Sequence, residues 1–315
     1  MKDLRILFMG TPDFAVATLE KLVECDHTIV GVITAPDRPA GRGRKLQQSA
    51  VKTYALKKGL PVLQPTNLKN EDFLTALAEL RANLQIVVAF RMLPKVVWNM
   101  PEYGTFNLHA SLLPNYRGAA PINWVLINGE KETGVTTFFI DDKIDTGEII
   151  LQDRTPIAEH DTAGTLHDRL MVMGSNLVAQ TVRQITDGTV TTVRQTDTEG
   201  LKTAYKIHKE TCAIDWSKSI DAIYDHIRGL SPYPAAWSTL TTGDTQLSVK
   251  IYAVTKERET HQHVIGTVVF DKKELKVAVK EGFISILEMQ LPGKRRMKTS
   301  DILNGLKLEK KAFLS

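Results

Sequence analysis

Apolar, β-rich runs at residues 4–9, 29–34, 84–89, 104–108 and 134–140 alternate with amphipathic stretches near 14–22, 46–58, 71–81, 119–128 and 162–186. Parallel strands need a crossover, and a helix between successive strands supplies one. The alternation therefore predicts an α/β unit: a Rossmann-like, mostly parallel sheet with helices on both faces. Ligands of such sheets bind beyond the carboxyl ends of the strands. The first run ends at Gly10, where Thr11 is the expected N-cap, Pro12 suits the first helical turn and Asp13 complements the positive end of the helix dipole.

The pattern changes after residue 187. Residues 188–200 are rich in Thr, Gln and Asp without an apolar period, as a linker would be. One helical stretch at 219–228 then precedes short β-type segments at 237–240, 247–254, 266–270, 275–279 and 283–287. About five short strands with little helix predict a small OB-like β-barrel, a shape that often binds oligonucleotides. The expected division is a first domain at 1–187, a linker at 188–206 and a barrel domain at 207–315.

A chain of 315 residues has room for two domains, and 43% hydrophobic with 24% charged residues is ordinary for a globular protein. The start is too short an apolar run for a signal peptide, and no stretch approaches the roughly 20 apolar residues that cross a bilayer. Cys25 and Cys212 lack ligand or redox spacing, which fits a reducing cytosol and no metal site. The net charge of +4 is uneven, about −2 over residues 1–200 and about +6 over the remainder, so the second part is suited to a polyanion.

Candidate chemistry lies in Phe106-Asn107-Leu108-His109-Ala110-Ser111-Leu112-Leu113-Pro114 and, some thirty residues later, Asp141-Asp142-Lys143-Ile144-Asp145-Thr146-Gly147. Side chains alternate along a strand, so Asn107 and His109 share one face. Imidazole titrates near neutrality and handles protons. An amide donates to an oxygen that gains charge, as acyl or formyl transfer requires. A carboxylate at Asp145 would orient the imidazole and favour its cation. Each residue alone has an ordinary structural use; the triple is harder to attribute to turns and caps. Ser111 is outside a Gly-x-Ser-x-Gly elbow, so no acyl-enzyme is indicated, and Gly10-Thr11-Pro12-Asp13 lacks the Gly-x-Gly-x-x-Gly spacing of a dinucleotide site.

A basic loop at residues 35–45 carries Arg38, Arg42, Arg44 and Lys45 among glycines and prolines, suited to hold phosphates. Lys206 and Lys209, with Lys294, Arg295, Arg296 and Lys298, would extend such a track.

Asn107-Leu-His109 with Ser111-Leu-Leu-Pro114, Tyr116-Arg117-Gly118-Ala119-Ala120-Pro121-Ile122, Glu132-Thr133-Gly134-Val135-Thr136 and Asp145-Thr146-Gly147 resembles the 10-formyltetrahydrofolate-dependent formyltransferases. Gly10-Thr11-Pro12-Asp13-Phe14, Asp37-Arg38-Pro39-Ala40-Gly41-Arg42-Gly43, Ile214-Asp215-Trp216 and Leu291-Pro292-Gly293-Lys294 look like the members that act on a tRNA-borne amine. The resemblance implies that Asn107, His109 and Asp145 form the catalytic trio and that Ser111, Leu112, Leu113 and Pro114 help bind the reduced folate. It also implies that the Arg42 loop reaches the acceptor end of initiator methionyl-tRNA, with the barrel domain as a second tRNA-binding surface. One departure is that Phe90 is followed by Arg91 where the family usually has glycine. A cytoplasmic, monomeric enzyme is expected. The alternative is the same donor with a small amine acceptor, such as a sugar nucleotide, which has no use for a basic loop and barrel.

Overall fold

In the computed structural model, which describes residues 2–40, 45–196 and 199–315, the first apolar run forms β1 (Arg5–Gly10), with Ile6, Leu7, Phe8 and Met9 fully buried. A strand buried on both faces belongs at the centre of a parallel sheet. α1 (Asp13–Glu24), β2 (Thr28–Ile33), β3 (Arg38–Ala40), β4 (Lys45–Gln47), α2 (Ala50–Lys57) and β5 (Val62–Leu63) follow. Next come α3 (Glu71–Glu79), β6 (Leu84–Val88), α4 (Lys95–Trp98), β7 (Thr105–His109) and β8 (Arg117–Gly118). α5 (Pro121–Ile127), β9 (Glu132–Phe139), β10 (Ile149–Pro156), α6 (Ala163–Asp187) and β11 (Thr203–Ala204) complete this stretch.

The seven-stranded sheet runs β10-β9-β7-β6-β1-β2-β5. β1 pairs in parallel with β2 and β6, β6 with β7 and β2 with β5, while β9 lies antiparallel to β7. Leu7, Met9 and Val87 pack one face against Phe73 and Leu77 of α3 and Val97 of α4. On the opposite face Thr137 bonds Thr181 of α6 at 2.8 Å. The mostly parallel sheet with helices on both faces is as the alternation predicts.

Two local details differ from expectation. α1 is capped at Pro12 with no side-chain cap bond, so Thr11 is not the N-cap, although Asp13 does occupy the first turn. The helical stretch from residue 46 starts only at Ala50, because residues 45–47 pair with 38–40 and Ser49 Oγ accepts the Lys52 N–H at 3.0 Å. A capping serine competes with helix upstream of it.

Two units emerge: Met1–Gly118, Thr133–Thr155 and His167–Thr203 in one, and Ala119–Glu132, Pro156–Leu166 and Ala204–Ser315 in the other. In the second, α7 (Ile220–Leu230), capped by Ser219, packs on β12 (Ala236–Thr242), β13 (Thr245–Glu257) and, across β14 (Val268–Phe270) and β15 (Leu275–Val279) in chain order, β16 (Gly282–Gln290). β17 (Met297–Lys298), α8 (Thr299–Leu303) and β18 (Phe313–Leu314) complete the chain. The antiparallel order is β14-β15-β16-β13-β12-β18, and β18 returns to the start of β14: Leu314 N–H donates to Gly266 O at 2.9 Å and Val268 N–H to Ala312 O at 2.9 Å. The result is a nearly closed small barrel around Leu240, Val249, Ile251, Val277 and Ile284. Among the described residues no helix is long and apolar enough to cross a membrane.

Closure depends on Gly266, whose φ is +91° and whose added Cβ would lie 2.5 Å from the Phe313 ring and 2.6 Å from Leu314 O. Gly266→Ala should lower stability by about 1–3 kcal/mol, read as a lower urea midpoint. An unchanged midpoint would show that the barrel does not need this approach.

Candidate active site

β7 delivers Asn107 and His109 to the sheet's carboxyl end, on the face away from α6. Asn107 is half-buried, and its row-mates are Val87 and Phe138. Its side-chain amide makes no hydrogen bond among the described residues, so its donors are left for a ligand. His109 is 7% exposed. Its Nε2 lies 2.8 Å from Tyr116 O. A carbonyl oxygen only accepts, so Nε2 carries the proton and donates. In the neutral imidazole Nδ1 is then the basic atom.

Asp145 Oδ2 stands 3.8 Å from His109 Nδ1, too long for a hydrogen bond, and accepts the Gly118 N–H at 2.9 Å. The three residues singled out in the sequence therefore meet at one strand end. The ring, however, is oriented by Tyr116, named beforehand only within a motif. Tyr116 has a φ of +62°, and its own N–H donates to Lys202 O at 2.6 Å. No residue pattern announces such a carbonyl.

Asp145 also takes a left-handed φ of +55°, uncommon for a residue with a side chain. Two residues on, a Cβ at Gly147 would sit 1.7 Å from Phe139 O. The Asp-Thr-Gly spelling thus answers a backbone need as well as a chemical one: the turn folds back onto β9, where only glycine fits. Thr146 Oγ1 donates to Asp141 Oδ1 at 2.7 Å and tightens the loop.

Residues 111–114 form a tight turn in which two of the four side chains are buried. Ser111 is fully buried, and its hydroxyl donates to Asn115 O at 2.7 Å. Leu113 is buried, whereas Leu112 and Pro114 are partly exposed, the latter after a cis peptide bond. Thr136 Oγ1 of β9 donates to Ser111 O at 2.7 Å and accepts from Leu113 N–H at 3.3 Å and from Gln152 Nε2 at 3.0 Å. Thr136 was named beforehand only within a motif, and Gln152 shapes this turn without a prior signal in the sequence.

Past the ends of β1 and β2 lies a cleft of about 660 Å³ lined by Thr11, Asp13, Ala35, Arg38, Phe90 and Arg91. Arg91 also borders a second cleft of about 730 Å³ with Thr66, Lys69 and Lys95. Its guanidinium donates to Thr66 O at 2.9 Å and to Pro65 O, making a wall between the two spaces. Desolvation first, then the Arg38 guanidinium, lowers its pKa. Two guanidiniums facing one cleft attract an anion. The foot of the basic loop is held by Asp37, which accepts from Gln64 at 2.8 Å and from Lys52 at 2.6 Å, bonds that keep its carboxyl below the usual range.

Arg42 and Arg44 lie outside the described residues, and Lys45 begins β4. In the second unit Lys206 and Lys209 are exposed. Lys209 Nζ lies 5.5 Å from the Trp237 ring centre, and Trp237 Nε1 donates to Lys209 O at 2.8 Å. Arg296 is paired with Glu288. No group of three or more His, Cys, Asp or Glu placed to hold a metal occurs among the described residues.

Residues 4–182 match the family model described as formyl transferase, and residues 206–307 the model described as formyl transferase, C-terminal domain. A Flavobacterium johnsoniae protein named methionyl-tRNA formyltransferase is 59% identical over 306 residues, covering 97% of each chain. A protein of that name from Bacteroides thetaiotaomicron is 58% identical over 312 residues, covering 98% of this chain and 97% of its own. A solved structure described as a sugar 3N-formyl transferase, with dTDP and 5-N-formyl-THF, has a TM-score of 0.64 at 20% identity and covers 94% of this chain and 100% of its own. At that identity it shows the shared fold.

Thr136→Val should cost about 1–3 kcal/mol, because it strips three bonds from a fully buried hydroxyl site while keeping its shape. Urea unfolding checks this; a loss below about 0.5 kcal/mol would mean the turn is held elsewhere.

Proposed function

The chain belongs to the formyl transferase family, and from that membership we propose that it transfers a formyl group from 10-formyltetrahydrofolate to the α-amine of methionine carried on initiator tRNA. The observation that carries the choice of acceptor is the full-length match to relatives named methionyl-tRNA formyltransferase, second unit included. The alternative, a small amine such as that of a sugar nucleotide, rests on a 20% likeness that speaks to fold alone.

In this reading Asn107, His109 and Asp145 are catalytic. The neutral amine attacks the formyl carbon, a carbon–nitrogen bond forms, and charge gathers on the formyl oxygen. Asn107 donates to that oxygen from its unengaged amide. The bond to N10 of the folate then breaks, the amine gives up a proton and N10 gains one. His109 Nδ1 would hold that proton, since Nε2 is committed to Tyr116 and the Asp145 carboxylate lies 3.8 Å from Nδ1. The turn at Ser111, Leu112, Leu113 and Pro114 borders the reduced folate, chiefly through backbone and the partly exposed Leu112 and Pro114. Arg38, Arg42, Arg44, Lys45, Lys206 and Lys209 meet the tRNA as phosphate contacts. On this reading residues 1–187 are the catalytic domain, 188–206 the linker and 207–315 the tRNA-binding domain. The enzyme works in the cytoplasm as a monomer, without a metal.

Asn107→Ala and His109→Ala should each lower kcat at saturating tRNA by about 10² or more in a formylation assay. Retention of turnover within a few-fold in both would remove the trio from the chemistry. The KM for initiator methionyl-tRNA should rise at least about 10-fold between roughly 50 and 200 mM salt, as several phosphate contacts require. Formylation of a nucleotide-sugar amine instead of the tRNA, with little dependence on salt, would establish the small-acceptor alternative.

A further inference from the structure

Gln195 stands in the polar segment whose composition suggests a linker, between the two ranges that match family models. Among exposed neighbours it is half-buried. Its Oε1 accepts from Arg117 Nε at 3.1 Å and Nη2 at 2.8 Å, and its Nε2 donates to Asp145 O at 3.0 Å and Gly147 O at 2.7 Å. Guanidinium groups only donate and carbonyls only accept, so the amide has one satisfactory orientation, with both donors and both lone pairs engaged. Val193 secures the segment by exchanging backbone bonds of 2.8 and 2.9 Å with Ile149.

The two strands of the chain that Gln195 ties together are those that set the environment of His109. One is the Asp145 turn, whose left-handed φ is disfavoured for a residue with a side chain and must be held by its surroundings. The other contains Arg117 and Gly118, whose N–H binds the same Asp145 carboxylate that faces His109 Nδ1. We propose that Gln195 is a positioning residue for formyl transfer: it clamps the backbone of the Asp145 turn to Arg117 and so aims the carboxylate at the imidazole. Lys202, further along the same segment, accepts the Tyr116 N–H, and Tyr116 in turn holds Nε2. The segment is thereby part of the active centre. This inference rests on the functional reading above only for its kinetic consequence.

The test compares Gln195→Ala and Gln195→Glu, each alone and with Asp145→Ala, by amide hydrogen exchange of Gly118 and by formylation kinetics. In Gln195→Ala, Gly118 should exchange at least about 10-fold faster than in wild type, as it also should in Asp145→Ala, while the amides of β1 stay unchanged. Turnover should fall about 10- to 100-fold, as misplacement by a fraction of an ångström does, with KM for tRNA within about 3-fold. Gln195→Glu keeps an acceptor for Arg117 but turns an oxygen toward two carbonyls, and should lose as much turnover. On the Asp145→Ala background either change should cost less than about 2-fold more, because both act through one group. Gly118 exchange within about 2-fold of wild type, wild-type turnover in Gln195→Ala, or a full multiplicative loss in the double variant would each overturn the proposal. If the wild-type protein fails to formylate the tRNA, the functional reading falls, and Gly118 exchange still decides the role of Gln195.

Discussion

The hydrogen bond from His109 Nε2 to the Tyr116 carbonyl decides which nitrogen of a buried imidazole is left for chemistry. With that proton committed, Nδ1 faces Asp145 at 3.8 Å, beyond the range of a shared proton. Everything nearby serves this arrangement. The parallel sheet brings β7 to its carboxyl end, α6 covers the far face, and the turn back onto β9 lifts Asp145 into reach. Tyr116 and Asp145 both hold backbone conformations that side chains disfavour, and such strain persists only where surrounding bonds over-determine it.

Around this centre the sheet end is electrostatically divided. Asp145 supplies the negative charge beside the imidazole, while Arg38 and Arg91 face a separate cleft past β1 and β2. Arg91 is bound to the backbone at Pro65 and Thr66, so it builds a wall as well as a field.

Much of the fold was legible beforehand because strand and helix periods are local. The runs at 84–89 and 104–108 became β6 and β7 with ends shifted by a residue, and 275–279 became β15 unchanged. The starts of α1 and α2 were less legible, since a cap depends on where the preceding chain goes: residues 45–47 left the helix to pair with 38–40. β10 and the closing strand β18 were missed, the first amphipathic and polar in its second half, the second only two residues long. At the site, Asn107, His109 and Asp145 could be singled out because their chemistry shows in the side chain. Tyr116, Thr136 and Gln195 could not, because what they contribute is a carbonyl, a buried hydroxyl and a clamp, which any sequence offers in many places.

By itself, then, the sequence determined the parallel sheet, the small barrel and which polar side chains stand out as candidates at a strand end, because hydrophobic period and side-chain chemistry are properties of residues near one another in the chain. Only the tertiary structure decided which imidazole nitrogen is available, how Asp145 is aimed and that residue 195 belongs to the centre. Those depend on bonds between residues 109 and 116, 118 and 145, and 145 and 195. The last two pairs lie 27 and 50 positions apart, and such bonds exist only once packing has brought the backbone groups within hydrogen-bonding distance.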